Sequence, residues 1–178
     1  MLKIKNKNQQ GVGLIEVLVA LILLAIAVLG YVALQTKAIA ASQESVVKTQ
    51  AQAVMKSLAE NIRTNNASRA LYTTKVTQYL DSTTVPTNCK TSLCTSSELV
   101  NYDAYSAKQY ANNFGLKLGM ADCPGVKAGS TLIRQCVFAA WGKTELKQSA
   151  GVLDYSRCMD ASNGVYVSNA SCLMMELY

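Results

Sequence analysis

The residues with the most chemistry to offer are six cysteines, at positions 89, 94, 123, 136, 158 and 172. All lie at or beyond the midpoint of the chain, in a polar region. An even count confined there predicts oxidation to three disulfides, and with it an oxidising compartment outside the cytoplasm. Spacing alone leaves the connectivity open. Pairing of sequence neighbours (Cys89 with Cys94, Cys123 with Cys136, Cys158 with Cys172) is the expectation, with an exchange such as Cys123 with Cys158 as the alternative. The loops closed by neighbour pairing are short, so each bridge would contribute about 2–3 kcal/mol in the chain-entropy account. Zinc is the competing use of thiolates. Cys-x4-Cys followed by wide, irregular gaps is poor zinc spacing, and the chain has no histidine to complete a site.

The lack of histidine also removes the commonest general base. No Ser/His/Asp or Cys/His set and no glycine-rich phosphate loop is present. An enzyme is not expected, nor is a cofactor. Asp103, Asp122, Asp154 and Asp160 are not arranged as a D-x-D-x-D-G calcium loop, so they read as solvated loop acids and no metal is expected. Nine tyrosines invite a stacking surface, but packing within helices and sheet is the expected use for most. Lys127, Arg134, Lys143, Lys147 and Arg157 are too dispersed to make a nucleic-acid surface, so no nucleic-acid partner is expected.

One carboxylate is out of place. Glu16 stands at the head of an apolar run, and residues 17–34 carry no charge. As a helix those residues span about 27 Å, close to the roughly 30 Å hydrocarbon core. The preceding residues include Lys3, Lys5 and Lys7. Basic residues stay on the cytoplasmic side, which places everything after the span outside. A secretory signal peptide would have a shorter apolar region and a small-residue cleavage site after it. A plain membrane anchor would have no use for Glu16, because a carboxylate in a span is costly.

Beyond the membrane run the helical pattern continues. No Pro or Gly interrupts residues 35–66. Val47, Ala51, Val54, Leu58 and Ile62 recur as one apolar stripe. A single helix over about 14–65 is predicted, half in membrane and half packed on a domain. From position 65 the composition turns to Thr, Ser, Asn and Tyr. Residues 81–97 read as a polar loop. Ser96 or Ser97 is the predicted cap of a helix reaching about Gly115, with Leu99, Tyr102, Tyr105, Tyr110 and Phe114 as its apolar members. Strands are predicted at 131–141, 152–159, 165–168 and 173–177, with Asn163-Gly164 as a hairpin turn. The fold class is therefore α+β, a long helix packed on an antiparallel sheet.

The run from Gly11 through Val12 and Glu16 to Ala20 resembles the class III signal of type IV pilins and type II secretion pseudopilins: a short basic leader, a glycine, then a glutamate five residues on and an apolar helix. The resemblance implies the type IV pilin fold and cleavage by a prepilin peptidase between Gly11 and Val12, followed by N-methylation of Val12. Val12 departs from the phenylalanine usual at that place. Four segments follow: a leader at 1–11, an apolar assembly helix at 12–34, an amphipathic half at 35–66 and a globular head at 67–178. Removing the leader would leave 14 Lys and Arg against 11 Asp and Glu, a net charge of +3 in place of +6. Glu16 would pair with the new amino terminus of Val12, its own or a neighbour's, and set the register between subunits.

The segment from Cys89 and Cys94 through Leu99 to Asp103 is similar to one in the PilV group of minor pilins. That similarity implies a minor pilin that primes a type IV pilus or sits at its tip, supporting adhesion, twitching motility or DNA uptake. Its implied partners are the prepilin peptidase, other minor pilins, the major pilin, the inner-membrane assembly platform and, before assembly, membrane lipid. The implied location is a single pass of the bacterial inner membrane with the C-terminus periplasmic, then the extracellular fibre. Two other readings remain open: a type II secretion pseudopilin, and a single-pass anchored periplasmic binding domain.

Overall fold

The computed structural model describes residues 13–125 and 134–177. Gly11, Val12, the leader lysines, Lys127 and the 131–133 start of one predicted strand lie outside the described residues. The chain divides into two compact units, one ending at Ser45 and the other beginning at Val46.

Helix α1 spans Leu14–Thr64. In the second unit its stripe of Ala51, Val54, Leu58 and Ile62 is buried, joined by Met55 and Ala59. This is the face that the four-and-three spacing marks out. A 3-10 turn at Asn66–Ser68 then leads into α2, Arg69–Gln78. Sequence reading gives no helix here, because Thr and Tyr dominate and favour strands. Packing overrides that preference: Tyr72 and Val76, one helical turn apart, are both buried.

Helix α3 spans Ser96–Asn113 and is capped by Thr95, one residue before the predicted serines. The Thr95 backbone N–H and hydroxyl donate to Glu98 Oε2, both at 2.8 Å, and Glu98 N–H donates to Thr95 Oγ1 at 3.3 Å. This is a closed capping box. The apolar members read from the sequence are not the residues that α3 buries. The buried residues are Val100, Asp103, Ala104, Ala107 and Ala111, while Tyr110 and Phe114 are exposed.

Five strands follow among the described residues: β1 Leu116–Asp122, β2 Gln135–Trp141, β3 Lys147–Ser149, β4 Val152–Asp154 and β5 Cys172–Glu176. An antiparallel sheet has the order β1-β2-β5, and β3 and β4 form a separate hairpin. Strand β2 is buried almost throughout because both of its faces are covered. Val137, Ala139 and Trp141 join the core built on α1, α2 and α3. Cys136, Phe138 and Ala140 join a second core with Leu146, Leu153, Met159 and three more cysteines. That two-sided burial explains the nearly unbroken apolar run in this strand. Strand β1 lies outside the strands expected from the sequence, and its Leu116, Leu118 and Met120 alternate inward as a strand requires.

Two predicted strands are corrected. The one at 152–159 ends at Asp154, and 165–168 contributes one isolated bridge, Met159 with Tyr166. The chain between them turns at Asn163-Gly164. Gly164 has φ +70° and its N–H donates to the Asp160 carbonyl at 2.9 Å. Asp160 N–H donates to the Val165 carbonyl at 2.9 Å and Val167 N–H to the Cys158 carbonyl at 3.0 Å, and the pairing goes no further than one bridge.

Three disulfides are present. Cys89–Cys94 closes a loop just before the α3 cap, Cys123–Cys136 joins the end of β1 to the start of β2, and Cys158–Cys172 crosses the second core. The β1–β2 register sets Ala121 opposite Cys136, which brings Cys123 within reach.

Candidate functional site

Two features stand apart from ordinary packing. The first is the apolar beginning of α1. The backbone N–H groups of Glu16 and Val17 both donate to the Gly13 carbonyl, at 2.9 and 3.4 Å. Glu16 therefore sits in the first helical turn, where a negative charge is favoured by the helix dipole. Behind it the large apolar side chains are exposed on every face, from 47% at Val32 to 82% at Leu14. The span has a mean hydropathy of 3.0 and none of it is buried. A helix apolar around its whole circumference has no solvated face, and needs lipid or other helices around it. Val12, the proposed partner of Glu16, lies outside the described residues.

The second feature is a buried polar brace in the second unit. Tyr72 on α2 donates from its hydroxyl to Asp103 Oδ2 on α3 at 2.6 Å. Asn61 on α1 donates from Nδ2 to Asp103 Oδ1 at 3.3 Å. Asn65 donates from Nδ2 to the Tyr72 hydroxyl at 3.3 Å and to the Ser96 carbonyl at 2.8 Å. Asn65, Tyr72 and Asp103 are all buried. Burial pushes the Asp103 carboxyl above its ordinary pKa, and the Tyr72 hydrogen bond opposes that shift. Burial also raises the Tyr72 hydroxyl, and the bond to Asp103 adds to the effect. Three helices are thus joined through one carboxylate. A satisfied buried network of this kind fixes one relative placement of the elements that carry it.

Asp103 is therefore not the solvated loop acid that its sequence context suggests. Its partners lie 31 and 42 positions away, so no local pattern could reveal them. Asp160 is an exposed loop acid, and Asp154 is exposed at the end of β4. Hydrogen bonds from Ser156 and from Ser162, respectively, hold their carboxyls below the ordinary value. No group of potential metal ligands is found among the described residues. The cysteines gather at three separate bridges and form no common centre.

Two family models match, on adjoining stretches. The prokaryotic N-terminal methylation motif covers residues 6–32. A Tt1218-like family, described as type IV pilin Tt1218, covers residues 33–105, which takes in the second half of α1, all of α2 and the capping box of α3. No curated protein and no solved structure matches the chain.

Proposed function

This chain is a type IV pilin, and on that premise we propose that it is a minor subunit, placed at the tip of the fibre or used to prime its assembly. The observation that supports a fibre subunit is the beginning of α1, apolar on every face with Glu16 in its first turn. Such a helix is stable in lipid before assembly and among neighbouring pilin helices after it. It exchanges one apolar environment for another, with no passage through water.

In this reading the prepilin peptidase cuts between Gly11 and Val12 and methylates Val12. The processed subunit waits in the inner membrane with its head in the periplasm, where the disulfides form. It then meets the assembly platform, the other minor pilins and the major pilin. Glu16 sets the register by pairing with an amino terminus in a low-dielectric setting. The protein works as a structural subunit and not as a catalyst. The minor role rests on the similarity of the segment from Cys89 to Asp103 to the PilV group.

Intact mass and N-terminal sequencing test the reading, on protein from membranes and from sheared surface fibres. The expected species begins at Val12, is one methyl heavier and is lighter by the hydrogens of three disulfides. In the fibres it should be far scarcer than the major pilin. Abundance equal to the major pilin would overturn the minor role. A processed chain that never enters fibres would leave a secretion pseudopilin. An uncut chain found only in membranes would leave an anchored periplasmic domain.

A further inference from the structure

Helix α3 buries mostly small side chains, and leaves exposed Tyr110 near its end and Phe114 at its C-terminal cap. The residues it buries include Val100, Ala104, Ala107 and Ala111, whereas Tyr110 is 64% exposed and Phe114 40% exposed. Folding gains little from aromatic rings left in water beside buried alanines. An exposed group of such rings marks a recognition surface. Tyr102, Ser106 and Tyr110 line two cavities at once, so the two adjoin along a common ridge. The larger, about 570 Å³, is closed on its far side by α1, which contributes Ser57 and Asn61. The smaller, about 270 Å³, is bounded by Pro86, Asn88 and Gln109.

The lining selects the class of ligand. Among the described lining residues only Lys90 and Asp103 carry charge, and they are of opposite sign. Asp103 already accepts from Tyr72 and Asn61. The other polar groups are neutral amides and hydroxyls. A nucleic-acid strand would need a basic track along the rings. A protein partner would need a broader dry centre than these two cavities supply. A neutral sugar chain fits both halves of the chemistry. The C–H face of a pyranose lies flat on a tyrosine ring, and its hydroxyls exchange hydrogen bonds with serine, asparagine and glutamine. We propose that this ridge binds a neutral oligosaccharide, with rings seated against Tyr102 and Tyr110. The site lies within the second unit, and the inference does not rest on the minor role.

The test uses the full chain in lipid nanodiscs, free of glycoside detergents. The probes are neutral hexose and N-acetylhexosamine tetrasaccharides, a heparin tetrasaccharide and an oligothymidine, followed by saturation-transfer NMR and titration. A neutral tetrasaccharide is expected to bind. Tyr110→Ala should weaken it about tenfold, the loss of one stacking ring, while Tyr110→Phe and Lys90→Gln leave it nearly unchanged. Tyr110 is exposed, so its removal should not unfold the head; Tyr102→Ala serves as a second variant with thermal unfolding as its control. The proposal fails if no neutral sugar binds, if only heparin or the oligonucleotide binds, or if Tyr110→Ala leaves sugar binding intact. It also fails if Tyr110→Ala lowers the amount of chain in fibres while no sugar binds, which would make the ridge a subunit interface.

Discussion

Tyr72 and Asp103, on neighbouring helices and 31 positions apart in sequence, share a 2.6 Å hydrogen bond with both residues buried. The Asp103 carboxyl holds its proton more tightly in the folded chain than in the unfolded one, because burial penalises its charge. Its contribution to stability is therefore complete below the ordinary carboxylate value and is lost as pH rises through the raised folded value. Asp103→Asn removes that dependence. The stability of the natural chain relative to Asp103→Asn should increase as pH falls from about 7 to about 4. Urea midpoints of both, read from the fluorescence of the single tryptophan, Trp141, check this. A constant difference across that range would contradict it. Tyr72→Phe leaves Asp103 with Asn61 as its remaining donor among the bonds described and should cost about 1–3 kcal/mol at neutral pH.

Thr77 closes the open edge of the sheet. Its hydroxyl donates to the Met120 carbonyl at 2.7 Å and accepts from the Met120 N–H at 2.9 Å, at the outward position of β1. Thr77→Val keeps the shape and removes both bonds. It should cost about 1–3 kcal/mol, as expected for buried backbone groups left without a partner. Thr77→Ser should recover most of that. Equal midpoints for the valine and serine variants would show that the bonds contribute nothing.

Gly119 lets the β3–β4 hairpin sit close to β1. A Cβ there would lie 2.4 Å from Leu153 Cδ1 and 2.9 Å from Cδ2. Leu153 is itself buried in the second core, so it has little room to move aside. Gly119→Ala should cost about 1–3 kcal/mol through overpacking. In a Leu153→Ala background the same change should cost far less, and a double-mutant cycle measures the coupling. Strict additivity would show that the two residues do not press on each other.

The capping box on α3 has its own pH signature. The Thr95 backbone N–H, and then its hydroxyl, hold the Glu98 carboxyl below its ordinary value. That contribution is present above the unfolded value and is lost as pH falls through the lowered folded one. Thr95→Ala should cost about 1 kcal/mol at neutral pH. The penalty should shrink in acid, and urea midpoints at the two pH values would detect it.

Glu16→Ala addresses assembly and not folding. The variant should still insert and be cleaved, and should be recovered in sheared fibres at a small fraction of the natural amount. Immunoblots of membrane and fibre fractions read this directly. Normal amounts in fibres would remove Glu16 from any part in register.

Much of the architecture could be read locally. Helix α1 was legible because nothing breaks residues 35–66 and because Val54, Leu58 and Ile62 return to one face at helical spacing. The apolar run with Glu16 at its head was legible for the same reason: length, charge and one misplaced carboxylate are properties of consecutive residues. Strand β2 could be found from its β-branched and aromatic run, and the turn at Asn163-Gly164 from its dipeptide.

Other features depended on residues far apart in the chain. Helix α2 forms against its own preference because Tyr72 enters the core and Thr77 reaches Met120. The buried face of α3 is small because it must fit closely among α1, α2 and β1, so residue size was a poor guide to burial. Asp103 became the junction of a brace once Asn61 and Tyr72 were brought to it. By itself, then, the sequence determined where the chain is apolar, where its long first helix runs and that its thiols lie in one polar region. Tertiary structure alone decided which face of α3 is inside and which acid is buried, while the cysteines meet as the sequence neighbours expected to pair. Hydrophobic period is a local property, whereas space and hydrogen-bond partners are supplied by segments that only folding brings together.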